Sequence, residues 1–288
     1  MSATINVNGR ISDERDAVIP VLDHGFLYGE GVYETLRTYG NQPFLFDRHM
    51  RRLRRSASMM HLDVPFADAD LLARIETTMA AASLGSSEAY IRVLVTRGVG
   101  ELTYDLKATP VPSVVIIVKP HVDPPPETYR DGVSAVIVSI VRNHPRTVDP
   151  MIKSNNLMNS ALAAQEAYRG GAFEGIMRNY RGELAECTTS NLFVVKDGAA
   201  LTPPIEAGLL PGITREFLFE VGAEVGVPVR EAVLNDDDLY GADEAFLTST
   251  TREAVPIVEV DGHRIGSGKP GPITARLLAG FRRRTVRT

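Results

Sequence analysis

A single cysteine, Cys187, occurs in the 288 residues, so no intrachain disulfide can form. That scarcity fits a reducing compartment. No apolar run approaches the length of a membrane span, and the N-terminus shows no charged-then-apolar signal pattern. A cytoplasmic protein without a membrane partner is therefore expected. Excess positive charge is also missing. The net charge is −5, and the only basic run, Arg282-Arg283-Arg284, reads as the end of a solvated helix. Nothing here points to nucleic acid as a partner. The six histidines have no ligand spacing, so no metal site is expected. Gly29 and Gly31 lack the third glycine and the following helical pattern of a dinucleotide fingerprint. No nucleophile-elbow motif supports a Ser/His/Asp triad. There is no internal repeat and no low-complexity segment.

What is present is ordinary globular composition, 44% hydrophobic and 23% charged, enough for a sizeable core in one large or two modest domains. Short strands are expected over residues 3–20 around an Asn8-Gly9 turn. An apolar run, Ala17 to Leu22, falls at the end of this stretch. Val32 to Tyr39 alternates as a half-buried strand, with Pro43 to Phe46 returning. Asp47 opens a helix whose stripe is Met50, Leu53, Ala57 and Met60. A second helix spans about Ala67 to Ala82. Ala89–Arg97 and Val114–Val118 read as strands. The proline-rich stretch from Lys119 to Pro126 marks a boundary. The expected layout is a small N-terminal α/β domain over 1–119, a linker over 120–130, and a larger α/β domain over 131–288. In the second half, strands are expected at 133–141, 172–177, on both sides of a polar loop after Glu186, and at 245–251. A hairpin at 256–265 and helices opening near Ile213 and residue 270 complete it.

The segment with the most distinctive chemistry is Met151 to Ala163. Lys153 lies between an apolar strand side and a helical pattern through Leu157, Ala161, Leu162 and Ala164. Ser154 and Asn155 are good cap types for that helix. A lysine at a helix start meets partial positive charge, which favours the neutral amine able to form a Schiff base. By itself such a lysine is more often a surface residue in a loop. Other segments carry anion-binding character. Arg52 lies next to the apolar stripe of its helix, where it could turn inward to an anion or face solvent. Tyr90 and Arg92 share one strand face and could line a pocket for a carboxylate. Free amides at Ile213 and Thr214 suit a phosphate. The hydroxyl cluster Ser249-Thr250-Thr251 is a second possible anion cradle.

Taken together, these segments resemble the class IV aminotransferases, pyridoxal-phosphate enzymes of fold type IV. The resemblance rests on Tyr28-Gly29-Glu30-Gly31-Val32-Tyr33-Glu34, His49 to Leu53, Ile152-Lys153-Ser154, Glu186 through Phe193, Pro211 to Arg215, and Ser249-Thr250-Thr251, in that order. It implies roles for named residues. Lys153 would hold pyridoxal 5'-phosphate covalently and carry the proton between substrate Cα and cofactor. Glu186 would sit against the pyridine nitrogen and keep it protonated. Arg52, the amides of Ile213 and Thr214, and Thr250 would bind the phosphate. Tyr33, Thr35, Arg37, Tyr90, Arg92 and Thr251 would line the substrate pocket. The family's fold implies two α/β domains with the cofactor between them, in a homodimer whose partner chain helps close the site. One departure is Cys187, where the family usually has glycine.

Within the family the motifs divide. Tyr90-Ile91-Arg92 and Gly98-Val99-Gly100-Glu101-Leu102 resemble branched-chain aminotransferases, which implies transfer from a branched-chain-like L-amino acid to a 2-oxo acid such as 2-oxoglutarate or pyruvate. No histidine occurs between Arg97 and Pro120, where D-amino-acid aminotransferases carry one. Val32-Tyr33-Glu34 and Ile152-Lys153-Ser154 look more like the D-type; Tyr33 and Thr35 stand where branched-chain enzymes favour phenylalanine and glycine, and Met158 where they carry a tyrosine. A D-amino-acid or (R)-amine transaminase is the alternative. An aminodeoxychorismate lyase is resembled at Thr35 but lacks its basic loop motif.

Overall fold

A computed structural model describes residues 2–286 of the chain. It divides into two compact units, one of residues 2–122 with Ile152–Asn156, the other of Asp123–Met151 with residues 157–286.

The first unit is an antiparallel sheet covered on one face by helices. Its strands are β1 (Thr4–Val7), β2 (Arg10–Asp13), β3 (Gly31–Tyr39), β4 (Gln42–Pro43), β5 (Ala89–Thr96) and β6 (Ser113–Pro120), in the order β2-β1-β6-β5-β3-β4. A short helix α1 (His24–Leu27) precedes β3, and α2 (Phe46–Met59) and α3 (Asp68–Ala81) supply the cover. Period-two alternation sends Val32 and Leu36, Ile91, Val93 and Val95, and Val114, Ile116 and Val118 to the helix side. There they meet Met50, Leu53 and Ala57 of α2 and Leu71 and Ile75 of α3. The opposite face of β3 and β5 carries Tyr33, Thr35, Arg37, Tyr90 and Arg92. The register sets Thr35 across from Arg92 and Arg37 across from Tyr90.

Two local expectations fail here. The strands expected over residues 3–20 end at Asp13, and the apolar run beyond them leaves Val18 and Val21 71% and 70% exposed. Its apolar content mimics a buried strand, but Pro20 has no amide to donate to a ladder. The return after the Asn41 turn is only Gln42–Pro43, and Phe46 already begins α2.

The second unit is built on a nine-stranded mixed sheet. Its strands are β7 (Val133–Ile137), β8 (Glu174–Arg178), β9 (Leu184–Cys187), β10 (Asn191–Lys196), β11 (Ala199–Thr202), β12 (Val229–Glu231), β13 (Glu244–Ser249), β14 (Glu253–Val260) and β15 (His263–Arg264). The order is β12-β11-β10-β13-β14-β7-β8-β9, with β15 on β14. Helices α4 (Pro126–Arg130), α5 (Met158–Arg169), α6 (Ile213–Val225), α7 (Asp236–Tyr240) and α8 (Pro272–Thr285) accompany it. Ile176, Leu192, Val194, Leu247, Val255 and Ile257 fill one core. Phe193 and Phe246 stack at 4.8 Å between ring centroids. No helix among the described residues is long and apolar enough to cross a membrane.

Candidate active site

Lys153 reaches its position by strand-like pairing. Tyr33 N donates to Lys153 O at 2.9 Å, Asn155 N to Gly31 O at 2.8 Å, and Val32 and Ser154 form an antiparallel bridge. Lys153 N donates to Ser56 Oγ of α2 at 3.1 Å. These bonds put residues 152–156 in the first unit although the chain on both sides belongs to the second. Gly31 makes the pairing possible: a Cβ there would lie 2.5 Å from Asn155 Nδ2 and 2.9 Å from Val95 O.

The helix after the lysine begins only at Met158, with Leu157 as its cap and no side-chain cap bond. Ser154 and Asn155 therefore do not cap it, and Ser154 Oγ accepts from Asn156 N at 3.3 Å. A helix-end field reaches about one turn, so the expected helix-start electrostatics is not what sets this lysine's surroundings. Its Nζ lies 3.5 Å from the Tyr33 hydroxyl and 4.4 Å from that ring's centroid. The Arg92 guanidinium carbon lies 4.1 Å from the same centroid. One phenol thus orders two cationic side chains on the open sheet face.

Behind this face lies a buried polar group. Glu34 points to the helix side of β3 and is fully buried. Arg52 of α2 donates Nε and Nη2 to its two oxygens, both at 2.7 Å, and His49 Nδ1 lies 2.7 Å from Oε2. Burial alone would push the Glu34 carboxyl up; the charge and hydrogen bonds of Arg52, aided by His49, outweigh it and hold it at about 2. Burial pushes the His49 imidazole below its ordinary value, against the pull of Glu34. Arg52 thus has an anchoring partner that sequence reading missed. The signal was available: Glu34 alternates with Val32 and Leu36, and a carboxylate on an apolar face requires a cation.

The second unit holds the other chemistry-bearing carboxylate. Glu186 lies near the end of β9, and its Oε1 accepts from Arg142 Nε at 2.8 Å. Its Oε2 accepts from Leu210 N at 3.1 Å and from Asn191 Nδ2 at 3.4 Å. Asn191 also packs against Gly212, where a Cβ would come within 1.8 Å of Asn191 Oδ1. Gly212 caps α6 with no side-chain bond, which leaves the first-turn amides of Ile213 and Thr214 without a capping group. Asn191 is paired with Thr248 in the sheet, and the turn carrying Thr250 and Thr251 follows directly after Ser249. Thr248 Oγ1 is buried without a hydrogen-bond partner among the described residues. Glu186, the α6 N-terminus and the hydroxyl turn are thus linked through Asn191 and its pairing with Thr248. Cys187 is buried in the core opposite Ile176, and burial raises its thiol well above the ordinary value. Among the described residues it is not one of the positive-φ positions.

Each unit by itself carries groups whose chemistry fits pyridoxal phosphate: the first an amine beside a phenol, the second a buried carboxylate near uncapped helix-end amides and a hydroxyl turn. Comparison with known proteins gives the same class. A family model for amino-transferase class IV matches residues 31–260. A putative branched-chain-amino-acid aminotransferase of Methanocaldococcus jannaschii is 38% identical over 96% of this chain and 95% of its own. A D-alanine aminotransferase of Listeria innocua is 34% identical over 98% and 96%. The crystal structure of an Escherichia coli branched-chain amino acid aminotransferase superposes with a TM-score of 0.92 at 33% identity, covering 98% of this chain and 94% of that one. A lysine set for imine chemistry would suit several enzyme classes, but a match running from residue 31 to residue 260 narrows them to one. The chain belongs to the class IV aminotransferases, pyridoxal-phosphate-dependent transaminases of fold type IV.

Proposed function

We propose that the enzyme moves the amino group of branched-chain-like L-amino acids to a 2-oxo acid such as 2-oxoglutarate or pyruvate. The observation that carries this reading is the open face of the first sheet, where Arg92 stacks on Tyr33 beside Lys153 and faces Thr35 across the ladder. Pyridoxal phosphate supplies an aldehyde for the lysine and a ring that takes up electron density. Lys153 Nζ would be the base that takes the donor's Cα proton and holds it for return on the cofactor side. Glu186 keeps a proton on the ring nitrogen. Arg52, held by Glu34, contributes charge to the phosphate, with the amides of Ile213 and Thr214 and the hydroxyl of Thr250. The Tyr33 hydroxyl, 3.5 Å from Lys153 Nζ, would supply the ring-oxygen contact for which Met158 has no donor. Arg92 holds the substrate carboxylate, while Thr35, Arg37, Tyr90 and Thr251 shape the pocket.

The test is a half-reaction spectrum. L-leucine, D-alanine and (R)-1-phenylethylamine are mixed separately with the holoenzyme, and loss of the cofactor's visible band is followed. Rapid bleaching by L-leucine alone is expected. Bleaching by D-alanine or the amine instead would assign the chain to the D-amino-acid or (R)-amine class. Tyr33 beside the lysine and the similarity to the Listeria protein favour that second reading. Arg92→Ala should raise the Michaelis constant for amino acids far more than for the carboxylate-free amine; equal effects would remove Arg92 from the carboxylate site.

The reading includes a homodimer. It is supported by apolar side chains left on the surface of the first unit, among them Val18, Val21, Leu102, Tyr104 and Val111, each at least 68% exposed. With its single cysteine buried, the protein suits a reducing cytoplasm.

A further inference from the structure

Glu186 accepts from donors of different kinds. Its side chain is only 7% exposed, and a carboxylate withdrawn from water keeps its charge only where donors replace the lost solvent. Leu210 N and Asn191 Nδ2, both neutral, serve Oε2. A cation, Arg142 Nε, serves Oε1. Arg142 is itself fixed from two sides. Past the end of β7 the chain stays alongside β8, with Val138 N donating to Ile176 O at 3.0 Å and Arg142 N to Arg178 O at 2.8 Å. The guanidinium Nη1 donates to Asn159 Oδ1 at 3.0 Å. Asn159, in the first turn of α5, is in turn set by its own Nδ2 on Val141 O at 2.9 Å and by Asn143 N at 3.3 Å on Oδ1. Main chain and side-chain amide thus aim Nε at one oxygen of Glu186.

We infer that Arg142 is a positioning residue for the transamination chemistry, acting through Glu186 to keep the shared proton on the cofactor's ring nitrogen. This rests on the reading of Glu186 as the partner of that nitrogen. A carboxylate beside a guanidinium holds a proton less readily. When Glu186 accepts a ring N–H, Arg142 therefore biases the proton toward the ring, where positive charge is needed. Each carboxylate oxygen has two lone pairs, so Nε occupies Oε1 without blocking a second donor there. Without Arg142, the proton shifts toward the carboxylate and the ring loses charge. Substrate contacts made by other residues are untouched, so turnover falls more than substrate binding.

The experiment loads wild type, Arg142→Met, Arg142→Lys, Glu186→Gln and the Arg142→Met/Glu186→Gln double variant with pyridoxal phosphate labelled with 15N in the ring, at saturating cofactor. The ring 15N chemical shift reports protonation directly, and thermal unfolding of the cofactor-free proteins monitors the fold. Arg142→Met is expected to move the shift toward the unprotonated value, and Arg142→Lys to recover most of it. In the Glu186→Gln background the same substitution should add nothing. kcat should fall roughly 10- to 100-fold with KM within about twofold, the range for losing a group that orients a ligand. If Arg142→Met does not fold, Asn159→Ala keeps the arginine but frees its Nη1, and a smaller displacement of the same sign is expected. A wild-type shift in Arg142→Met beside a displaced shift in Glu186→Gln would overturn the role of Arg142 alone. An undiminished effect of Arg142→Met in the Glu186→Gln background would overturn it too. A wild-type shift in Glu186→Gln would instead overturn the assignment of Glu186, and that of Arg142 with it.

Discussion

Glu34 occupies the apolar side of its strand and is tied to Arg52 and His49. Removing only its charge leaves the Arg52 guanidinium buried without its carboxylate. Glu34→Gln should therefore cost about 3–5 kcal/mol at neutral pH and loosen the arginine assigned to the cofactor phosphate. The carboxyl titrates at 4.5 as a free group and at about 2 in the fold. Its contribution is complete above about pH 4.5 and is lost as the pH falls through about 2. His49 acts in the same direction. Its folded value lies below 6.5, so the unfolded chain takes up that proton first and acidification from neutral pH destabilises the fold. Urea unfolding across this range should show the gap between wild type and Glu34→Gln narrowing from pH 4.5 towards 2. A gap that stays constant would mean that Glu34 is not the titrating group. The residues sequence reasoning named were those carried by motifs. Arg142 lies in an irregular stretch between β7 and the lysine segment, with no periodicity to mark it, and only the tertiary approach to Glu186 reveals it.

Among the elements, those with a strong period were the legible ones. β3 and β5 alternate because one face meets α2 and α3 and most of the other is only half-buried. For the same reason Tyr90 and Arg92 could be placed on one strand face from the sequence alone. The stripe of α2 was equally plain, since Met50, Leu53 and Ala57 are all buried. The lysine segment was harder. Its pairing with Gly31 and Tyr33 joins residues far apart in sequence, and the nearby helical pattern drew the expected helix start too close to Lys153. A long-range bridge leaves no local signature, whereas an amphipathic helix does. The strands expected over residues 3–20 stop short at Asp13 for the opposite reason: apolar content without a partner strand is not a strand. At the α6 start, Pro211-Gly212 was readable as an opening with free amides. The requirement for glycine there, the close approach of Asn191, was not.

For the molecule as a whole, the chain threads from the first unit into the second, returns for residues 152–156, and leaves again. A linear division at the proline-rich stretch does not anticipate that return, because composition marks linkers and not crossings. The exposed apolar residues of the first unit bear on assembly. Sedimentation equilibrium at micromolar concentration should give twice the 31.4 kDa chain mass, and a monomer mass would remove the homodimer from the account. The central claim is that Lys153 is the residue through which this transaminase holds its cofactor and moves the substrate proton. The most direct test is to reduce the holoenzyme with borohydride, digest it, and locate the phosphopyridoxyl group by mass spectrometry. The label is expected on the peptide containing Lys153, with neither label nor turnover in Lys153→Ala. A label on another lysine, or turnover that survives Lys153→Ala, would contradict it.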